Sequence, residues 1–205
     1  MFHKMKAMAI LLLSSAALSI PAHSLDESPG QILGGSLNSP IRIEVFSDFQ
    51  CAACREFYLG TIRPVIQEYS SKDKVCVIYH EFPLTAIHAY AQEAARYSEA
   101  ASRLGQQKLL PVLDSIFTDQ AHWSQNGNLE ASVAKALSRE DFQKLKKIMQ
   151  DSNINSAIQT QIDLAAKNDV RSTPTTIIYY VGKTQRVEGL ITYVVMKQFI
   201  DSIVK

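Results

Sequence analysis

Apolar and polar positions along the chain change rhythm several times. Ile41 to Ser47 alternates and is rich in β-branched and aromatic residues, which predicts a strand. Cys51 to Tyr69 then carries apolar residues at Cys54, Phe57, Tyr58, Ile62, Val65, Ile66 and Tyr69, one face of a helix that Gly60 and Pro64 should kink. Lys74 to Phe82 holds a nearly continuous apolar run, Val75-Cys76-Val77-Ile78-Tyr79, as expected of a central strand covered on both faces.

From Thr85 to Asn168 the pattern is helical. The predicted helices are His88 to Leu104, closed by Gly105, then Leu109 to Phe117 with Pro111 in its first turn, and Leu129 to Leu137 after a loop at 124–128. A further helix runs to about Gln150 behind a Ser138/Asp141 capping box, and another covers Asn153 to Lys167. Strands return at Thr175 to Val181 and Gln185 to Glu188 around a Gly182-Lys183 turn, and Thr192 is placed to cap a last helix, Tyr193 to Val204. The order predicts an α/β fold: a mixed sheet at 25–84 and 169–205, interrupted by an all-helical insertion at 85–168.

The first 24 residues fit neither part. A basic start (His3, Lys4, Lys6), an apolar stretch from Ala7 to Ile20, and Pro21 before Ala22-His23-Ser24 predict a cleaved signal peptide. The stretch is too short for a comfortable span, which needs about 20 residues. The mature protein is therefore expected to be soluble and periplasmic or otherwise extracytoplasmic.

Composition narrows the function by exclusion. The 205 residues include 21 Lys and Arg against 20 Asp and Glu, a balance that gives no electrostatic footprint for nucleic acid. The 46% hydrophobic content is ample for a packed core. Three cysteines are too few for a disulfide-stapled scaffold or a four-cysteine zinc site.

Their positions say more. Cys51-Ala52-Ala53-Cys54 stands where the first strand turns into a helix. A helix N-terminus offers unpaired N–H groups and partial positive charge, which favour a thiolate at Cys51. The spacing brings Cys54 within bonding reach, turned inward behind an exposed Cys51, an arrangement suited to thiol–disulfide exchange. Other readings fit less well: so small a loop makes a poor staple, zinc lacks two further ligands, and covalent haem would need His where Arg55 stands. Thr173-Pro174 opens the third strand, where a proline is tolerated and a cis bond would be a selected feature.

These motifs together resemble one family. The run from Glu44 to Arg55, with Phe46-Ser47-Asp48-Phe49 before the cysteines, is similar to the active-site segment of DsbA-like thiol–disulfide oxidoreductases. His80-Glu81-Phe82-Pro83-Leu84 and Thr173-Pro174-Thr175 fit the same branch, in matching order from about Ile32 to the C-terminus. The resemblance implies a thioredoxin-like mixed sheet with a helical insertion, Cys51 and Cys54 as the catalytic pair, and Thr173 and Pro174 beside them as substrate-binding residues. The Thr173–Pro174 bond is then expected to be cis and to face the cysteines. The chain departs from the family at the Ala52-Ala53 dipeptide, where strongly oxidising members often carry Pro-His. It departs again at Val45, where a buried acid often stands; Glu44 points to the other face.

The leading expectation is a dithiol oxidase that needs no cofactor or metal. It would pass its disulfide to reduced or unfolded exported proteins, act as a monomer, and be reoxidised by the quinone-linked membrane partner that the resemblance implies. A reductase or isomerase of the same fold, and a module delivering copper or zinc through the cysteine pair, are the alternatives. Its reduction potential is expected to be intermediate to oxidising, since the helix terminus favours the thiolate but no histidine between the cysteines helps it. Among other residues, Cys76 is expected to be a buried, inert thiol and Trp123 a packing residue. His80, His88 and His122 are expected at the surface or at caps, and Glu81 is a candidate acid near the site.

Overall fold

The computed structural model describes residues 30–204; the expected signal peptide lies outside them. Five strands form one sheet in the order β1-β3-β2-β4-β5, with β1 at Gln31–Gly34, β2 at Ile41–Ser47, β3 at Val75–Glu81, β4 at Thr175–Tyr180 and β5 at Lys183–Glu188. Only β2 and β3 pair in parallel; the other neighbours are antiparallel. This is the thioredoxin-like mixed sheet, with a run of helices placed between β3 and β4 in the chain.

The central strand β2 is buried on both faces. Ile41, Ile43 and Val45 join the main core with Val77 and Tyr79 of β3, Ile178 of β4, and Phe57, Ile62 and Val65 of the first helical segment. Phe46 and Ile177 face the other way and form a smaller cluster with Ala165 and Val170. That double burial explains why the predicted strands read as near-continuous apolar runs.

The kinked helix is three pieces. α1, Ala52–Phe57, passes into a wide π turn at Tyr58–Ile62 and then into α2, Arg63–Glu68. Pro64 cannot donate to the carbonyl one turn back, and the wide turn absorbs that missing bond. Thr61 Oγ1 donates to Ile191 O at 2.7 Å, tying the turn to the loop before α9, Tyr193–Ile203.

Between β3 and β4 lie α3 (Ala91–Arg103), α4 (Gln106–Thr118), α5 (Gln120–Asn126), α6 (Leu129–Ala136), α7 (Arg139–Ile148) and α8 (Asn153–Lys167). Several expected boundaries move. α4 begins at Gln106, so Pro111 lies inside the helix; Gly105, at φ +107°, follows the C-cap of α3 and is the N-cap of α4. The loop expected at 124–128 shrinks to Gly127 and Asn128, because α5 is held by Trp123, whose Nε1 donates to Ile116 O at 2.7 Å. The hairpin turn is Val181-Gly182, both at positive φ, with Lys183 already paired to Tyr180. Thr192 occupies the N-cap of α9 without a side-chain hydrogen bond to it. Ser138 does cap α7, accepting from Asp141 N. No helix of the described residues is long and apolar enough to cross a membrane.

Strand β1 has no counterpart among the elements the sequence predicts. Four residues ending in glycine carry almost no periodicity, and the strand exists by pairing to β3, with a register shift between Ile32 and Gly34. It brings Gln31 to a buried pair of acids. Gln31 Nε2 donates to Glu81 Oε1 at 3.2 Å and lies 3.4 Å from Glu99 Oε2, while Ser98 Oγ donates to Gln31 Oε1 and Gln161 Oε1 accepts from Glu81 N. Burial, with the charge of the neighbouring Glu99, pushes the Glu81 carboxyl well above the ordinary carboxylate range against hydrogen bonds from Ser98 and Gln31, and burial raises Glu99 as well.

A raised carboxyl makes the folded state bind more protons than the unfolded state. This contribution to stability is therefore fully present below the ordinary value of 4.5 and is lost as pH climbs toward the folded values. Each group can contribute at most about 1.4 kcal/mol per pH unit. Glu81→Gln is expected to flatten the fall in urea midpoint above pH 4.5 relative to the parent; parallel curves would show that Glu81 titrates normally.

Candidate active site

The strand-to-helix turn after β2 is built by Asp48. Its carboxylate is buried, Oδ1 accepting from Gln50 N and Oδ2 from Leu84 N, each at 2.7 Å, with His88 Nδ1 at 2.8 Å. Asp48 O accepts from Cys51 N at 3.2 Å, and Cys51 O in turn accepts from Arg55 N at 3.1 Å. Cys51 is thereby the extended N-cap of α1, at φ −74° and ψ 122°. Its sulfur is half-buried and sits over the first N–H groups of the helix. Cys54, nearly one turn on, is 1% exposed.

The two thiols differ sharply as acids. A hydrogen bond from the Cys54 side chain, helped by the backbone N–H groups of Cys54 and Ala53 and opposed by partial burial, holds Cys51 down to about 5. Burial, together with the charge and hydrogen bond of Cys51, pushes Cys54 well above the usual thiol range. The site thus presents an accessible thiolate next to a shielded thiol that has kept its proton. All three cysteines are free thiols.

The other two expected residues come to the same place. Thr173 O lies 3.6 Å from the Cys51 sulfur, and the Thr173–Pro174 bond is cis. Pro174 O accepts from Gly189 N at 2.7 Å, and Thr175 Oγ1 donates to Ser172 O at 2.7 Å, which fixes the segment on both sides of the proline. Cys51, Cys54, Thr173 and Pro174 therefore converge, although the first and third are 122 residues apart.

Several neighbours had no sequence signal. Gln120, from α5, donates to Phe49 O at 2.6 Å and Cys51 O at 3.0 Å. Gln50 donates to Ser124 O and accepts from Tyr90 N, and Arg55 Nε donates to Phe117 O at 3.0 Å. The helices between β3 and β4 thus grip the cysteine turn directly. His80 is not at the surface as expected. It is fully buried on the opposite sheet face, stacked on Phe46 with Nε2 3.1 Å from Glu44 Oε2, while Arg42 Nε lies 3.0 Å from the other oxygen of Glu44. Glu44 is consequently engaged away from the cysteines. His88 is partly buried against Asp48, and His122 is exposed. Cys76 is buried in β3 with its thiol pushed up to about 11 by burial, as suits an inert thiol.

A family model described as thioredoxin matches residues 27–202. The chain belongs to the thioredoxin family. Within it the build is DsbA-like, and the protein is a thiol–disulfide oxidoreductase. The probable disulfide bond formation protein D of Bacillus cereus is 24% identical over 148 residues, covering 70% of this chain and 68% of that protein. Among solved structures, Wolbachia pipientis alpha-DsbA1 superposes with a TM-score of 0.68 at 18% identity, covering 85% of this chain and 90% of that one. Pseudomonas aeruginosa DsbA2 gives 0.66 at 22%, covering 83% and 92%. These structural likenesses bear on the fold; the chemistry of this thioredoxin-family chain follows from its own residues.

Proposed function

We propose that the protein is an exported dithiol oxidase, in which Cys51 is the attacked sulfur and Cys54 the sulfur that leaves. The observation that carries this reading is the contrast within the pair: a half-exposed Cys51 held down to about 5 beside a buried Cys54 that retains its proton. A stabilised thiolate favours the reduced form, and a pair whose reduced form is stabilised gives its disulfide away readily.

The exchange balances in two steps. A substrate thiolate attacks Cys51 Sγ of the oxidised enzyme; the new S–S bond forms as the Cys51–Cys54 bond breaks, and Cys54 leaves as a thiolate that takes up a proton. A second thiolate of the same substrate attacks its own sulfur in the mixed disulfide, and Cys51 leaves as a thiolate. The substrate loses two electrons and the enzyme gains them. Thr173 and Pro174 line the approach to Cys51, and the Thr173 backbone can pair with an extended substrate segment, which gives affinity with little regard to sequence. Such binding suits reduced, unfolded exported proteins as substrates. A quinone-linked membrane protein would return the pair to the disulfide, and the N-terminal segment would place the enzyme in the periplasm or another extracytoplasmic space.

Two measurements test this. Alkylation of the reduced protein with iodoacetamide should label Cys51 first, with a rate that rises through a midpoint near 5. A midpoint at the ordinary thiol value, or earlier labelling of Cys54, would overturn the division of roles. Equilibration with glutathione should give a potential closer to the DsbA value of about −120 mV than to the thioredoxin value of about −270 mV. A value at the thioredoxin end would make the protein a reductase.

A further inference from the structure

We propose that Gln120, carried by the helical segment between β3 and β4, is a positioning residue that sets the reactivity of Cys51 through its backbone. The inference rests on Cys51 being the attacked sulfur, as proposed above, but not on the direction of electron flow.

Gln120 is 6% exposed, and its one amide nitrogen spends both hydrogens on the cysteine turn: Phe49 O at 2.6 Å and Cys51 O at 3.0 Å. Those two carbonyls lie on either side of Gln50, across the point where strand gives way to helix. Cys51 O also accepts from Arg55 N, so both of its lone pairs are occupied, and Cys51 N donates to Asp48 O. The Cys51 backbone is thus held from both ends, at a ψ of 122° that no side-chain cap supports. An N-cap without a capping side chain is where a helix frays first.

Holding that ψ has two consequences for the sulfur. It keeps Cys51 Sγ directed at Thr173 O, 3.6 Å away, and it keeps the N–H groups of Ala53 and Cys54 aimed at the sulfur. Without the amide, two buried carbonyls lose a donor and the first turn can rotate away from the thiolate. Gln120 is itself anchored. Trp123 Nε1 donates to Ile116 O, and Gln50 Nε2 returns a bond to Ser124 O in the same helix, so α5 and the cysteine turn hold each other reciprocally.

The mundane alternative is that Gln120 merely satisfies two carbonyls and contributes to stability alone. Gln120→Met, which keeps length and bulk but removes both donors, separates the two. In the reduced full-length protein, thiolate absorbance near 240 nm should show the Cys51 titration moved up by about one unit. The glutathione equilibrium should shift about tenfold toward the protein disulfide, which corresponds to about 30 mV more reducing. Gln120→Glu has the same shape and places an acceptor against two acceptors; it should shift the titration in the same direction, and it serves if the methionine variant does not fold. Ser138→Ala removes the cap of α7 in the same run of helices, and should lower the unfolding midpoint while leaving the Cys51 titration in place.

A folded Gln120→Met protein whose titration and glutathione equilibrium both stay within twofold of the parent would overturn the proposal. So would a Ser138→Ala protein that shifts the titration equally, since loosening of the helices would then suffice. Failure of the underlying reading looks different: the parent itself would titrate at the ordinary thiol value, before any variant is made.

Discussion

Cys51→Ser is expected to abolish disulfide transfer, leaving turnover of a reduced peptide at the rate seen without protein. A serine oxygen cannot form the mixed disulfide, and Cys54, 1% exposed and keeping its proton, cannot replace it. Cys54→Ser should behave in the opposite way. It retains the accessible thiolate but has no second thiol. Given a disulfide-bonded peptide, Cys51 attacks one sulfur and the other peptide sulfur leaves as a thiolate; with no Cys54 to displace the bound sulfur, the covalent adduct through Cys51 should accumulate and run as a higher band on non-reducing gels. Cys76→Ser, far down β3, should leave turnover nearly unchanged, at a cost of about 1–3 kcal/mol for a buried hydroxyl. An adduct through Cys54 in the Cys51→Ser protein would reverse the assignment.

The second large effect is on stability. Phe117→Ala should lower the unfolding free energy by about 3–5 kcal/mol, read from urea denaturation. Phe117 is fully buried in α4, with its ring 4.5 Å from Tyr58 and 4.7 Å from Phe49, and with Tyr79 edge-on at 6.4 Å. It therefore packs at once against the turn before the cysteines, the π turn and the third strand. Its carbonyl also receives Arg55 Nε. A loss below about 1 kcal/mol would mean that the neighbouring rings close the cavity, as some large-to-small sites do.

How far the sequence discloses all this depends on whether a feature is local. The central strands and α8 are legible because double burial or a single apolar face writes a pattern into consecutive residues, and Asn153–Lys167 is read to its ends. The cysteine pair is legible because its chemistry follows from its place at a strand-to-helix turn. Features made by pairing across the fold are not. β1 owes its existence to β3, and α5 is a polar run stabilised by one indole. His80 reads as a surface residue because its partner, Glu44, is on the neighbouring strand in register with Ile78, two positions from the histidine. Gln120 is one glutamine among many, and only the folded chain shows which carbonyls it meets.

The sheet order carries a consequence in time. β4, which Thr173 and Pro174 lead into, inserts beside the central strand β2, although the chain makes it only after β3 and the six helices that follow β3. As the chain emerges from its N-terminus, the segment bearing Cys51 precedes its neighbour Thr173 by 122 residues. Over that interval the nascent chain has its nucleophile and the edge of β2 uncovered, and nothing yet to align an incoming thiol. Such non-local closure is slow relative to helix formation. The helices can therefore consolidate first and grip the cysteine turn, so that reactivity is set before specificity is.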